Sequence, residues 1–115
     1  MVIKWTKPAF EDLMNFKNIT KKNNVSEYIH ELFEFSKQLK EFPNLGVVFY
    51  YTRKTIIRKL IYKEHSILYY VDNDTIFVVS VIHHNQNIST KLDLIKKSKI
   101  VPENRHYFRF LTLLI

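Results

Sequence analysis

The run TIFVVSVI, Thr75–Ile82, decides the fold. Apart from Thr75 and Ser80 every residue in it is Ile, Val or Phe, the types that suit a pleated strand. Apolar side chains fall on both faces of the alternation, so the spacing predicts a central strand covered on both sides. Working back from it, Asp72-Asn73-Asp74 is a short polar connection of the kind that closes a hairpin. The preceding runs Ser66–Val71, Thr55–Tyr62 and Val47–Tyr51 are again rich in Ile, Val, Tyr and Phe and predict an antiparallel meander. Proline and glycine in Phe42-Pro43-Asn44-Leu45-Gly46 punctuate its start.

Upstream the period changes. Ile29, Leu32, Phe33, Ser36 and Leu39 follow helical spacing, with Asn24 as a candidate cap and Glu27 at the capping-box position. Tyr28, Phe35 and Phe42 widen that apolar stripe and are read as core, which predicts a helix packed on the sheet and on a neighbouring helix. The neighbour is marked by Ala9, Leu13, Phe16 and Ile19, with Pro8 in its first turn and Glu11 and Asp12 near its positive end. Before it, Val2, Ile3 and Trp5 suit a short strand. The expected architecture is therefore α+β in two layers: an N-terminal strand and a two-helix hairpin on a mostly antiparallel sheet of four to five strands.

The chain of 115 residues carries 46% apolar and 25% charged residues, enough for one core and too apolar for disorder. Cysteine is absent, which excludes disulfides, thiolate ligands and cysteine nucleophiles and suits the reducing cytoplasm as the expected location. A single glycine excludes a Walker loop or dinucleotide fingerprint, so no nucleotide cofactor is expected. No run reaches the roughly 18 apolar residues of a membrane span, and the N-terminus lacks the pattern of a signal peptide. A net charge of +7 fits RNA, DNA or an acidic protein segment as a partner, and equally a lysine-rich surface with no partner at all.

Several separated pieces together resemble the RelE/ParE superfamily of toxins. They are Ala9 and Asp12-Leu13 after the opening strand, the Pro43–Gly46 turn, Ile57-Arg58-Lys59-Leu60, Ile67-Leu68-Tyr69, Asp74-Thr75-Ile76, and Val81-Ile82-His83. The resemblance covers about residues 1–90. It leaves 91–115 as an extension: basic and weakly helical from Lys91 to Lys99, broken at Pro102, and apolar from Tyr107 to Ile115. That tail is expected to fold back over apolar surface. An added strand at a sheet edge or on a second subunit, and a docking patch for a partner, are the other readings.

The resemblance implies a growth-arresting toxin neutralised by a cognate antitoxin, with operator DNA reached only through that antitoxin. It offers two targets. RelE-like members cleave mRNA, usually on the ribosome, whereas ParE-like members inhibit DNA gyrase without chemistry of their own. This sequence departs from the RelE pattern: Ser66 and His84 stand where arginines are expected, and Thr90 where the catalytic tyrosine would fall. Loss of fixed positive charge near a pentavalent phosphate is costly, which favours the ParE side.

The histidines favour the other target. The meander brings His65, at a turn, toward His83 and His84, at the end of the central strand. Two imidazoles near neutral pKa suit the base and acid of a metal-free RNA cleavage through the 2′-hydroxyl. Arg58 and Lys59 are then the phosphate- or target-binding candidates. Against these stand plain alternatives: a structural role for His83, a polar turn for His65, and a salt bridge from Arg58 to Glu64 or Glu11. His30 and His106 carry no functional reading. No metal is expected, because neither cysteine nor paired carboxylates accompany the histidines.

Overall fold

A computed structural model describes residues 1–15 and 25–84 and the backbone of 113–114. Its elements are β1 (Val2–Trp5), α1 (Lys7–Met14), α2 (Val25–Ser36), a short 3₁₀ turn (Lys37–Lys40), β2 (Val47–Tyr51), β3 (Ile56–Tyr62), β4 (His65–Asp72), β5 (Thr75–His83) and β6 (Leu113–Leu114). They form a single sheet in the order β2-β3-β4-β5-β1-β6. Strands β2 to β5 are the antiparallel meander, and β1 joins β5 in parallel, Val2 opposite Thr75 through Trp5 opposite Val78. The two residues of β6 pair antiparallel with β1, adding a strand beyond the four to five expected. Asn24, Phe16, Ile19, Lys91–Lys99, Pro102, His106 and Tyr107–Leu111 lie outside the described residues.

Both helices serve one face of the sheet. Ala9 and Leu13 of α1 and Tyr28 and Leu32 of α2 are buried in one core with Ile3, Trp5, Ile67, Tyr69, Ile76 and Val81. A second cluster, Ile57, Leu68, Tyr70, Val79 and Ile82, occupies the opposite face, flanked by Phe49, Tyr50 and Phe77. Strand β5 thus feeds both cores, as its run of apolar residues requires. It does so with one irregularity. The register slips between the Leu68–Ser80 and Tyr69–Val78 pairs, leaving Val79 as an extra residue. That bulge is why Val78 and Val81, three apart, both join the helix-side core.

The junction between β1 and α1 explains how the first helix is aimed. Thr6 is fully buried, and its N–H and hydroxyl both donate to the Val78 carbonyl, at 3.0 and 2.9 Å. The same hydroxyl accepts from the Ala9 N–H at 3.5 Å, so one side chain caps the helix while still tied to the sheet. Pro8 follows in the first turn, where its missing N–H costs nothing. Asp12 departs from expectation: it lies past the first turn, away from the positive end of the helix. Its Oδ2 instead accepts from the Ser80 hydroxyl and the Val81 N–H, both at 2.9 Å. Beyond Trp5 no described strand flanks β5 on this side, and the carboxylate satisfies these buried edge groups in its place.

Helix α2 ends sooner than its apolar period suggests. The Ser36 hydroxyl donates to the Phe33 carbonyl at 2.7 Å and the Gln38 amide to the Phe35 carbonyl at 3.0 Å. Side chains thereby take the last helical acceptors and the chain tightens into the 3₁₀ turn. Leu39 stays in the core, but Phe42, read as core from the sequence, is 59% exposed because the helix has stopped before it.

Candidate functional site

The histidines gather at the β3–β4 hairpin. Its loop is only Lys63 and Glu64, with Lys63 in the left-handed region at φ 52°. His65 therefore opens β4 rather than sitting in the turn, directly opposite His83 of β5. The His84 N–H extends this pairing by donating to the Glu64 carbonyl at 2.9 Å. The three side chains do converge, with ring centroids 5.0 Å apart for His65–His83 and 6.5 Å for His83–His84. Their environments differ, however. His65 has no exposed surface, and its Nδ1 lies 2.6 Å from the Tyr28 hydroxyl. The His83 side chain is 12% exposed, with its Nε2 3.5 Å from Glu64 Oε2. His84 is exposed.

The surroundings of this row are aromatic and charged. Burial, and then the nearby Glu64 carboxylate, push the Tyr28 hydroxyl up to about 12, although the Lys63 ammonium opposes them. The Tyr62 hydroxyl donates to Glu31 at 2.7 Å, and this hydrogen bond is the main reason its pKa is raised. Lys63 reaches the same carboxylate at 3.1 Å and lies over the rings of Tyr28 and Tyr62. Tyr28, Glu31 and Glu64 were not legible as neighbours of the histidines. Tyr28 has the spacing of a core aromatic, and nothing local to Glu64 points across to β5.

Arg58 lies elsewhere. Its guanidinium donates to the Gly46 carbonyl at 2.8 Å and to the Asn44 carbonyl at 3.4 Å. Tyr69 holds the same turn from inside, accepting from the Gly46 N–H at 2.9 Å and donating to the Pro43 carbonyl at 2.8 Å. Gly46 is required by that closeness: a Cβ there would stand 2.8 Å from the Tyr69 ring and 2.9 Å from the Lys59 carbonyl. The Pro43–Gly46 motif is thus a clamp, and Arg58 is one of its jaws. Neither salt bridge considered for Arg58 forms among the described residues, since Glu64 faces His83.

Lys59 points the other way, its ammonium 5.8 Å from the centre of the Phe49 ring on the second-core face. Arg58 and Lys59 therefore cannot grip one phosphate together. Arg58 is also four residues along β3 from the Tyr62–His65 hairpin, roughly 13 Å at strand spacing. The structure brings the histidines together and leaves the two cations apart from them. Among the described residues no group of three or more His, Asp or Glu is arranged to hold a metal ion.

Among the described residues, two helices over one face of an antiparallel meander and a parallel N-terminal strand, in a small basic chain, form the architecture that the resemblance to RelE/ParE toxins implies. The chain belongs to the ParE toxin family: residues 3–88 match the family model described as the ParE toxin of the type II toxin–antitoxin system parDE. It is accordingly a toxin of the type II kind, with a cognate antitoxin as its partner. No curated protein matches the chain. No helix among the described residues is long and apolar enough to cross a membrane.

Proposed function

We propose that this toxin arrests bacterial growth in the cytoplasm by binding DNA gyrase, without chemistry of its own. Its antitoxin blocks that surface and carries the pair to operator DNA. The observation that supports this reading is the separation of Arg58 from the histidines. An endoribonuclease needs cationic groups aimed at the same phosphate that its acid and base serve. Here the guanidinium is held by turn carbonyls, the lysine faces the opposite side of the sheet, and one histidine is sealed in the core. A docking protein has no such requirement. The test is a supercoiling assay with purified gyrase and the full chain: loss of supercoiling with RNA left intact is the expected result. Unaffected gyrase would overturn it.

One observation keeps a second reading in view. His83 beside Glu64, with His84 next to it at the surface, is an acid–base arrangement that could serve RNA cleavage. Incubation with RNA and a chelator tests it. Discrete cleavage that disappears in both H83A and H84A would establish the nuclease.

A further inference from the structure

Strands β2 and β3 meet in the turn Thr52-Arg53-Lys54-Thr55, and hydrogen bonds fix its shape. The Thr52 N–H donates to the Thr55 carbonyl at 2.8 Å, and the Thr52 hydroxyl accepts from the N–H groups of Lys54 and Thr55 at 3.3 and 3.2 Å. Below the turn Tyr51 pairs with Ile56 and Val48 with Arg58, so these side chains share one face of the sheet. It is the helix side, since Leu60, two positions on from Arg58, belongs to the helix-side core. Nothing covers that face here: Val48, Tyr51 and Ile56 are 51%, 72% and 47% exposed. With Arg53, Lys54 and Thr55 they line an open hollow of about 440 Å³, within the roughly 300–1,000 Å³ range of small-molecule sites.

The lining is basic, apolar and free of carboxylates. From Phe42 to Lys63 the chain has five basic residues, Arg53, Lys54, Arg58, Lys59 and Lys63, and no acidic one. Asp72, which the β3–β4 register brings to the same end of the sheet, does not line the hollow. Among the described residues the side chains of Arg53 and Lys54 make no ion pair or hydrogen bond, and the Tyr51 ring packs on no other ring. Thr55 is 6% exposed, and its hydroxyl has no hydrogen-bond partner among the described residues. Two uncommitted cations, an aromatic face and an unused hydroxyl therefore stand together on a turn whose backbone is already fixed.

We infer that this hollow binds a nucleotide unit, its base stacked on Tyr51 beside Val48 and Ile56 and its phosphate held by Arg53 and Lys54. Stacking on an aromatic ring accepts any base, because every base has a π-face, and the cations neutralise the phosphate. Side chains take the phosphate here, so the site needs no glycine-rich loop. A bare anion would leave the Tyr51 ring unused. A lipid surface requires apolar groups on a protrusion, whereas these line a hollow. The same unit occurs free in solution and in an unpaired stretch of RNA or DNA, and its chemistry is common to both. The site lies at the far end of β3 from the histidines, roughly 20 Å away at strand spacing, and holds whichever target the toxin has.

The experiment is an NMR titration of the full chain with adenosine 5′-monophosphate, compared with adenosine, inorganic phosphate and a deoxyadenosine octamer. Shifts centred on residues 51–56 are expected, with the monophosphate binding more tightly than adenosine or phosphate and more weakly as salt rises. Y51A and R53E/K54E, altered only at exposed positions, should each bind it about tenfold more weakly or worse. Y51F keeps the ring and should bind like the parent chain. An octamer that binds the same residues more tightly than the monophosphate would identify a strand as the source, and one that binds no more tightly would identify the free nucleotide. Phosphate binding as tightly as the monophosphate, shifts centred on the histidines, or unchanged affinity in Y51A or R53E/K54E would overturn the proposal. So would anionic phospholipid vesicles that occupy Tyr51 and are not displaced by the monophosphate.

Discussion

Two polar clusters sit on the helix side of the same sheet, and they have opposite characters. At the Pro43–Gly46 turn, Tyr69 and Arg58 are engaged by main-chain groups, and the result is a fixed joint between the 3₁₀ turn and the meander. At the β3–β4 hairpin the polar groups run from sealed to open: Tyr28 with His65 in the core, His83 with Glu64 at the margin, His84 outside. A side chain bonded to backbone has its position set and its chemistry used up. One graded toward solvent retains a face for a partner. From sequence, Arg58 and the histidines look like parts of one site; in the fold they belong to a joint and a surface.

The sharpest way to break this comparison is at Tyr69. Y69F removes one hydroxyl and leaves both the Gly46 N–H and the Pro43 carbonyl without it. Each buried group left unpaired costs about 1–3 kcal/mol, so a loss of roughly 2–4 kcal/mol in urea-induced unfolding is expected. A loss below about 0.5 kcal/mol would mean that the turn relaxes onto water and is no joint.

The histidine end should respond to alkali. The folded pKa of Tyr28, about 12, lies above its ordinary value of 10.0, so the folded state holds this proton more tightly. The stability it contributes is fully present below pH 10 and is lost as pH rises from about 10 through 12. Allowing for solvent screening, the loss is about 1–2 kcal/mol. Tyr62 and Tyr69 also titrate high and add to it in the same direction. Y28F should lower stability at neutral pH by about 1 kcal/mol, since the Tyr28 hydroxyl no longer meets His65, and should flatten the alkaline limb. Parallel alkaline limbs in the two proteins would show that Tyr28 does not carry the dependence.

How much of this was legible depended on range. The meander and the two-sided burial of β5 follow from composition and period within single segments. The convergence of His65 and His83 follows from the short hairpin between them. What the period hid were local departures from it. The bulge at Val79 puts Val78 and Val81 on one face, and the 3₁₀ turn carries Phe42 out of the core. Asp12 looked like a helix-dipole residue because only the tertiary fold shows that β5 outruns β1. The hydrogen bonds that hold Arg58 were hidden because their acceptors are backbone carbonyls twelve and fourteen positions away, which no side-chain pattern can announce.

The smallest expected effect is the most discriminating for function. His84 is exposed, and its backbone N–H, which pairs with Glu64, survives substitution. H84A should therefore leave stability within about 0.5 kcal/mol. H83A, by contrast, removes a side chain that is 12% exposed and its contact with Glu64, and should cost about 1 kcal/mol or more. If the toxin acts by docking on gyrase, H84A still arrests growth when expressed without antitoxin, because no proton transfer depends on the ring. A stable H84A protein that no longer arrests growth would place the ring in the toxin's working surface. Its RNA-cleavage and supercoiling assays would then decide between chemistry and contact: loss of cleavage alone marks an acid or base, and loss of gyrase inhibition alone marks a docking residue.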